Sequence, residues 1–372
     1  MIEPEPLQIV DRTYVRCGRR TLSFFSGCDY FRLSSHPAVL KAVGHGLKQF
    51  GLSVSASRTT TGNHEVYQRL ETQLANFFNA ESALAVSSGY AAAPIVAQAM
   101  AGTFSHALID ERAHAALQDA ALLLNCPLLR FKHRDPNDLK SAVNRCGRKS
   151  RPIVLTDGLF AFDGTIAPLK RYLEIIPRDG RILVDDAHGA GVIGKTGRGA
   201  LQVEGVNRSR IIQCITLSKA FGSYGGAILG ARSLRKTILQ RSRMFIGSTP
   251  IPLPLAQAAL ISTKLLQQNH SLRLRLNRNT TRVKSALRDA GIALPETPSP
   301  IIPIFLETHR EILELKRKLL AHGIYPPLLH YPGSPANGYF RFVISSEHTR
   351  RQLDTLIAVL ISFSRTLRNE TS

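Results

Sequence analysis

The 372-residue sequence contains no tryptophan, three methionines and five cysteines, and it sets only 27 acidic residues against 48 lysines and arginines. The cysteines, Cys17, Cys28, Cys126, Cys146 and Cys214, form no Cys-x-x-Cys pair. That spacing excludes the common zinc and dithiol motifs and reads as the reduced thiols of a cytoplasmic protein, with no metal site expected. No apolar run approaches the roughly 18 residues that span a bilayer, so no membrane span is expected. The opening Met1-Ile2-Glu3-Pro4-Glu5-Pro6 is acidic and broken by proline, which does not fit a secretion signal. Also missing are an internal repeat, a low-complexity stretch, and any helix-turn-helix, zinc-finger or RNP signature.

The shortage of acids leaves a formal charge of +21 and a pI near 10.3. Residues 231–372 hold 21 Lys and Arg against 8 Asp and Glu, so +13 of that charge lies there. Three readings of it stand open: a solvated basic surface, attraction of an anionic substrate carrier, and nucleic-acid binding. The basic residues alternate with leucines, as in Leu272-Arg273-Leu274-Arg275-Leu276, rather than with aromatic stacking residues, so nucleic acid is not the expected partner.

A hydrophobic content of 44% suits a globular chain, and the length allows one domain of roughly 200–250 residues plus a smaller one. Residues 1–35 read as an N-terminal arm with a short hairpin. Helical spacing follows over Pro37 to Phe50 and Tyr67 to Phe78, separated by a Ser/Thr-rich loop over 51–62. Strand and helix patterns then alternate. Strands are expected at Ala83–Val86, Ala107–Ile109, Leu128–Phe131, Ile153–Leu155, Ile182–Val184, Ile211–Leu217 and Ala227–Leu229, with helices at Tyr90–Met100 and Ala113–Asn125. This order predicts an α/β domain over 36–235, with a mostly parallel sheet covered by helices on both faces. From 236 to 372 the pattern predicts a linking helix, continuous from Leu255 to about Ala290, and a smaller C-terminal α+β domain.

Three of the buried strands end in chemistry. Ile153-Val154-Leu155 runs into Thr156-Asp157-Gly158, Ile182-Leu183-Val184 into Asp185-Asp186-Ala187-His188, and the strand ending at Leu217 into Ser218-Lys219. Ligands of open α/β sheets bind outside the carboxyl ends of the strands. Pyridoxal 5'-phosphate is the cofactor that needs a lysine to condense with its aldehyde and a carboxylate facing its pyridine nitrogen. Lys219 and Asp185 fit those needs, His188 can reach the phenolic oxygen, and His114 can stack on the ring. Ser87-Ser88-Gly89-Tyr90 ends a strand and opens a helix, where backbone N–H groups bind phosphate. Arg341 interrupts the apolar strand Tyr339-Phe340-Arg341-Phe342 and needs an anion, which a substrate carboxylate would supply.

Together these segments resemble the α-oxoamine synthases, a family of pyridoxal phosphate enzymes of fold type I. Residues 29–37, Asp-Tyr-Phe-Arg-Leu-Ser-Ser-His-Pro, are similar to the family's opening D-Y-L-G-L-S-x-H-P. Residues 185–194 match D-D-A-H-G-x-G-x-x-G, and 216–222 match T-x-x-K-x-x-G. Residues 156–164 resemble T-E-G-V-F-S-M-D-G, and 341–348 resemble R-x-x-x-[ST]-A-x-H. The resemblance runs from about Tyr30 to His348 and implies the same fold.

It also implies roles. Lys219 carries the cofactor and later moves the α-proton, Asp185 pairs with the ring nitrogen, His188 with the phenolic oxygen, and His114 stacks on the ring. Gly89, Tyr90 and Thr216 contact the phosphate. So does a hydroxyl of Ser248 or Thr249 from the second subunit of a homodimer with shared active sites. Arg341 holds the carboxylate of the amino acid. The implied reaction is a decarboxylative condensation of an amino acid with an acyl thioester of coenzyme A or an acyl carrier protein. The first reading is L-alanine with a pimeloyl thioester, as in biotin synthesis. Glycine or serine with another acyl group is the alternative, followed by an aminotransferase. The sequence departs from the family at Cys28, Asp157 and Ala161. It departs again in the loop Gly51-Leu52-Ser53-Val54-Ser55-Ala56-Ser57, where the family is glycine-rich.

Overall fold

The computed structural model describes residues 5–330 and 334–371. The segment 1–4, part of the acidic opening read above, lies outside the described residues. The chain divides into two compact units. One comprises residues 33–160 and 166–270, and the other comprises 1–32, 161–165 and 271–372.

In chain order the first three strands are β1 (Leu7–Asp11), β2 (Tyr14–Cys17) and β3 (Arg20–Ser23), which form an antiparallel sheet in the second unit. The first unit begins with α1 (Pro37–Phe50) and α2 (Glu65–Phe78) and continues with β4 (Ser82–Val86), α3 (Gly89–Ala99), β5 (His106–Asp110) and α4 (Ala115–Leu123). Then come β6 (Leu128–Phe131), α5 (Pro136–Arg145), β7 (Pro152–Asp157), α6 (Leu169–Ile175) and β8 (Arg181–Asp185). It closes with α7 (Ala200–Val203), β9 (Ile211–Thr216), β10 (Gly226–Gly230), α8 (Arg232–Arg241), α9 (Arg243–Ile246) and α10 (Leu253–Gln268). The second unit resumes with α11 (His270–Asp289), β11 (Ile301–Ile304), α12 (His309–Ala321), β12 (Leu328–Leu329), β13 (Tyr339–Val343) and α13 (Arg350–Thr371).

The seven strands of the first unit lie in the order β4-β10-β9-β8-β7-β5-β6. Only β10 runs against its neighbours; the β9–β8–β7–β5–β6 ladder is parallel throughout. Such a sheet has no solvated face, which is why Ile153, Val154, Leu155, Ile182, Leu183 and Val184 are all fully buried. Leu84, Ile109, Leu155, Leu183 and Ile228 pack with Ala93, Val96 and Leu117 of α3 and α4 in one apolar core. The antiparallel sheet β11-β13-β12 belongs to the second unit, where Phe340 and Phe342 pack with Ile312, Leu315, Leu356 and Leu360 of α12 and α13. The α/β domain with a smaller α+β part is therefore as expected.

The expected continuous helix from Leu255 to Ala290 is corrected to two helices, α10 and α11, broken at Asn269 (φ −98°, ψ 85°). Asn269 follows Gln267 and Gln268, and an asparagine side chain competes with the helical backbone for hydrogen bonds.

Candidate active site

The parallel ladder brings the carboxyl ends of β7, β8 and β9 to one edge of the sheet. Asp157 and Asp185 are register partners on β7 and β8, and Asp185 is in turn level with Cys214 on β9. The chain leaves β9 through a tight loop. Leu217 N–H donates to the Gly225 carbonyl (2.9 Å), Ser223 N–H to the Leu217 carbonyl (2.9 Å) and Gly222 N–H to the Lys219 carbonyl (2.9 Å). Gly222 makes that turn at φ +55°, and a Cβ there would lie 2.2 Å from the Ser34 nitrogen, so only glycine fits. The loop presents Lys219 half-buried, with Nζ 2.7 Å from His188 Nε2.

His188 itself is buried in the turn after β8. That turn is organised by the two preceding aspartates. Asp185 accepts from Ala187 N–H (3.1 Å). Asp186, fully buried, accepts through Oδ2 from Ala200 N–H (2.9 Å) and Gln213 Nε2 (2.6 Å). Burial pushes the Asp186 carboxyl up to about 7, against the pull of those two donors. Through those donors Asp186 ties the 186–200 loop to β9.

Asp157, buried beside Asp185, accepts the backbone N–H of His114 (3.0 Å). Burial raises its pKa well above the carboxylate range, and Asp185 adds to the rise. His114 caps α4, its Nδ1 accepting from Ala116 N–H (3.2 Å). Burial lowers its pKa, opposed by Asp185 and reinforced by Lys219, so the imidazole is neutral at pH 7. Its ring stands 6.0 Å from that of Tyr90.

On the other side of Lys219, α3 starts at Gly89 with Ser88 Oγ capping Ala91 N–H (3.2 Å). The first N–H groups of a helix have no intrahelical acceptor and favour an anion. A Cβ on Gly89 would lie 2.5 Å from Thr216 Cβ, so the helix start and the end of β9 touch at a point where any larger residue is excluded. The structure thus brings Lys219, His188, Asp185, His114, Thr216 and Gly89 to one edge of the sheet. Tyr90 is half exposed, and its hydroxyl donates to Asp119.

Ser248 and Thr249 are not drawn into hydrogen bonds with that group within the chain. The Ser248 hydroxyl donates to the Met244 carbonyl, and Thr249 is exposed. Arg341 lies in the other unit, on β13. Phe340 and Phe342 alternate into the core, whereas Arg341 points to the opposite face and donates through Nη1 to the Ala161 carbonyl (3.1 Å). It forms no ion pair among the described residues. The sequence reading passed over Asn279, whose amide donates to the carbonyls of Ser345 (3.0 Å), Ser346 (3.5 Å) and His348 (3.3 Å) and shapes the segment after Arg341. An asparagine inside a helical pattern carries no signal of that role.

These residues suit pyridoxal phosphate: an amine with a histidine beside it, a buried strand-end carboxylate, a neutral imidazole and a helix start free of side-chain bulk. The fold and this edge define a pyridoxal phosphate-dependent enzyme of fold type I. The comparisons agree. Residues 27–360 match the family model Aminotransferase class I and II. The chain is 34% identical to the 8-amino-7-oxononanoate synthase of Thioalkalivibrio sulfidiphilus over 95% of its own length and 90% of that protein. Among solved structures, the serine palmitoyltransferase of Sphingomonas wittichii superposes with a TM-score of 0.91 at 26% identity, covering 98% of this chain and 93% of that one. The 8-amino-7-oxononanoate synthase of Francisella tularensis superposes with a TM-score of 0.80 at 27% identity, covering 94% and 99%. The chain belongs to the 8-amino-7-oxononanoate synthase family within the α-oxoamine synthases.

Proposed function

We propose that this protein condenses L-alanine with a pimeloyl thioester, releasing carbon dioxide and the free thiol and forming the α-amino ketone 8-amino-7-oxononanoate for biotin synthesis. The observation that carries this reading is the 34% identity over 95% of the chain to a synthase of that name, with Lys219 and His188 in hydrogen-bond contact at the sheet edge. Pyridoxal phosphate supplies the electron sink that lets the α-carbon lose a proton and a carboxyl group. The residues of this chain bind, orient and move protons around it.

Lys219 would hold the cofactor covalently, and its Nζ would be the base that takes the α-proton of the amino acid. His188, at 2.7 Å, holds that amine in position and would face the phenolic oxygen of the cofactor. Asp185 would keep the ring nitrogen protonated, while Asp186, through Ala200 N–H and Gln213 Nε2, fixes the turn that carries His188. His114, fixed by Asp157, covers the ring. Gly89 and Tyr90 N–H groups and the Thr216 hydroxyl bind the phosphate. Arg341, whose guanidinium forms no ion pair among the described residues, binds the substrate carboxylate. We further propose a homodimer with shared sites, in which Ser248 and Thr249 of one subunit serve the phosphate of the other, and a cytoplasmic location. Among the described residues no helix is long and apolar enough to cross a membrane.

A second reading, serine with a long-chain acyl thioester, rests on the TM-score of 0.91 to a serine palmitoyltransferase. Complementation separates the two. A bacterial strain lacking its own 8-amino-7-oxononanoate synthase should grow without biotin when it expresses this protein, and should not when it expresses Lys219→Ala. Failure of the folded wild-type protein to restore growth, with condensation of serine in vitro, would favour the second reading.

A further inference from the structure

The excess positive charge of the C-terminal part is concentrated by geometry. On α11 the residues Arg275, Arg278 and Arg282 are spaced three and four apart and therefore share one helix face. That face borders a cleft of about 540 Å³ whose lining includes these three arginines, Arg350 at the start of α13, Asn279 and Glu347. Glu347 is the only acid in the lining, and it is already shared between Arg275 (2.9 Å) and Arg12 (2.9 Å). Arg282 at 2.6 Å and Arg350 at 3.7 Å both pair with Asp354, which does not line the cleft. Arg278 is exposed and makes no hydrogen bond or ion pair among the described residues. The four guanidinium groups have two carboxylates among them, Glu347 and Asp354, and with Arg12 also on Glu347 the positive charge stays in excess, which an anion carrying several charges would relieve. All of these residues belong to the unit that holds β13, and none of them has a role in the proposed reaction.

We propose that this cleft is a binding site for a polyphosphate anion, a chain of two or three linked phosphates. Planar guanidinium forks match phosphate oxygens bidentately, and three arginines at one-turn spacing span the length of a di- or triphosphate. The volume is in the range of small-molecule sites. Among the lining residues there is no Phe, Tyr or Trp to stack a base, so recognition rests on the phosphates rather than on a nucleobase. An extended nucleic-acid strand would call for such stacking residues. The same phosphate chain can come from inorganic polyphosphate or from a nucleoside triphosphate.

Calorimetric titration of the holoenzyme with inorganic tripolyphosphate and, in parallel, with adenosine triphosphate tests this. Tripolyphosphate should bind one per chain at 0.1 M salt. Arg278→Ala should weaken it about ten- to thirtyfold, because charge-assisted hydrogen bonds are lost, and Arg278→Lys should restore part of that. Since Arg278 is exposed and has no hydrogen-bond or ion-pair partner among the described residues, its removal should leave the fold and the melting temperature unchanged. The exposed Arg317→Ala on α12 serves as the control for general charge and should have little effect. Equal affinity for the nucleotide and the inorganic chain would confirm recognition by phosphate alone; tighter nucleotide binding, still lost in Arg278→Ala, would make a nucleotide the source. The proposal is overturned if no saturable binding occurs, if Arg278→Ala binds like the wild type, or if Arg317→Ala weakens binding equally.

Discussion

Lys219 Nζ and His188 Nε2 stand 2.7 Å apart at the edge of the sheet. Attachment to an aldehyde and removal of an α-proton both depend on that amine. Lys219→Ala should therefore retain the fold but lose turnover by at least about a thousandfold. Borohydride should fix the cofactor to the wild-type chain at Lys219 and not to the variant, as read by peptide mass. Arg341 is argued in the same way. Its guanidinium sits on a strand among aromatic residues, donates to the Ala161 carbonyl and forms no ion pair among the described residues, so a substrate carboxylate would complete it. Arg341→Ala should raise the KM for alanine by about one to two orders of magnitude and leave cofactor content unchanged. Arg341→Lys should recover part of the loss, because a point charge does not reproduce the planar fork. A variant that melts lower but binds alanine normally would make Arg341 structural.

The segment after β13 shows what an element can hide. His348 is buried, accepts from Ser345 N–H through Nδ1 (3.0 Å), donates through Nε2 to the Phe24 carbonyl (3.1 Å) and stacks on Phe25. Burial, with Arg32 nearby, lowers its pKa to about 3, well below its ordinary 6.5. The folded state thus prefers the neutral ring. The stability this contributes is complete above about pH 6.5 and is lost as the pH falls toward about 3. Denaturant titrations between pH 7 and 4 should show that loss, and His348→Ala should flatten it while costing about 2–4 kcal/mol at pH 7, from two buried backbone groups left unpaired. A pH profile identical in the variant would remove His348 from the account. None of this was legible from the motif ending at His348, which marks only that a histidine stands there. The site residues on strand ends were legible because parallel strands are continuous apolar runs, so Asp157, Asp185 and Lys219 stand out where the runs stop. Helix α5 escaped notice despite Asp135 capping Asn137 and Asp138 N–H and Pro136 in its first turn, since its polar face outweighs Leu139 and Ala142. The break at Asn269 and the two-residue strand β12 escaped because neither glycine nor proline marks the first and the second is too short for a period. In the 51–62 loop, Ser55 adopts φ +49°, a conformation glycine reaches without strain, which no composition argument anticipates.

At the scale of the molecule, charge and chemistry meet. A net +21 should draw an anionic thioester toward the protein, whether carried by coenzyme A or by an acidic carrier protein. The apparent second-order rate with the thioester should then fall as salt rises from about 0.05 to 0.3 M, since the Debye length shrinks below about 10 Å. Exchange of the alanine α-hydrogen with solvent, which involves a zwitterion without net charge, should change little. Equal salt effects on both would return the charge to a solvated face. The central claim, that the chain joins alanine to a pimeloyl thioester with loss of the carboxyl group, is tested most directly with carboxyl-¹³C-labelled L-alanine. The purified holoenzyme with pimeloyl thioester should release labelled carbon dioxide, free thiol and unlabelled 8-amino-7-oxononanoate in equal amounts. Label retained in pyruvate, or alanine consumed with no thiol released, would contradict it and identify an aminotransferase.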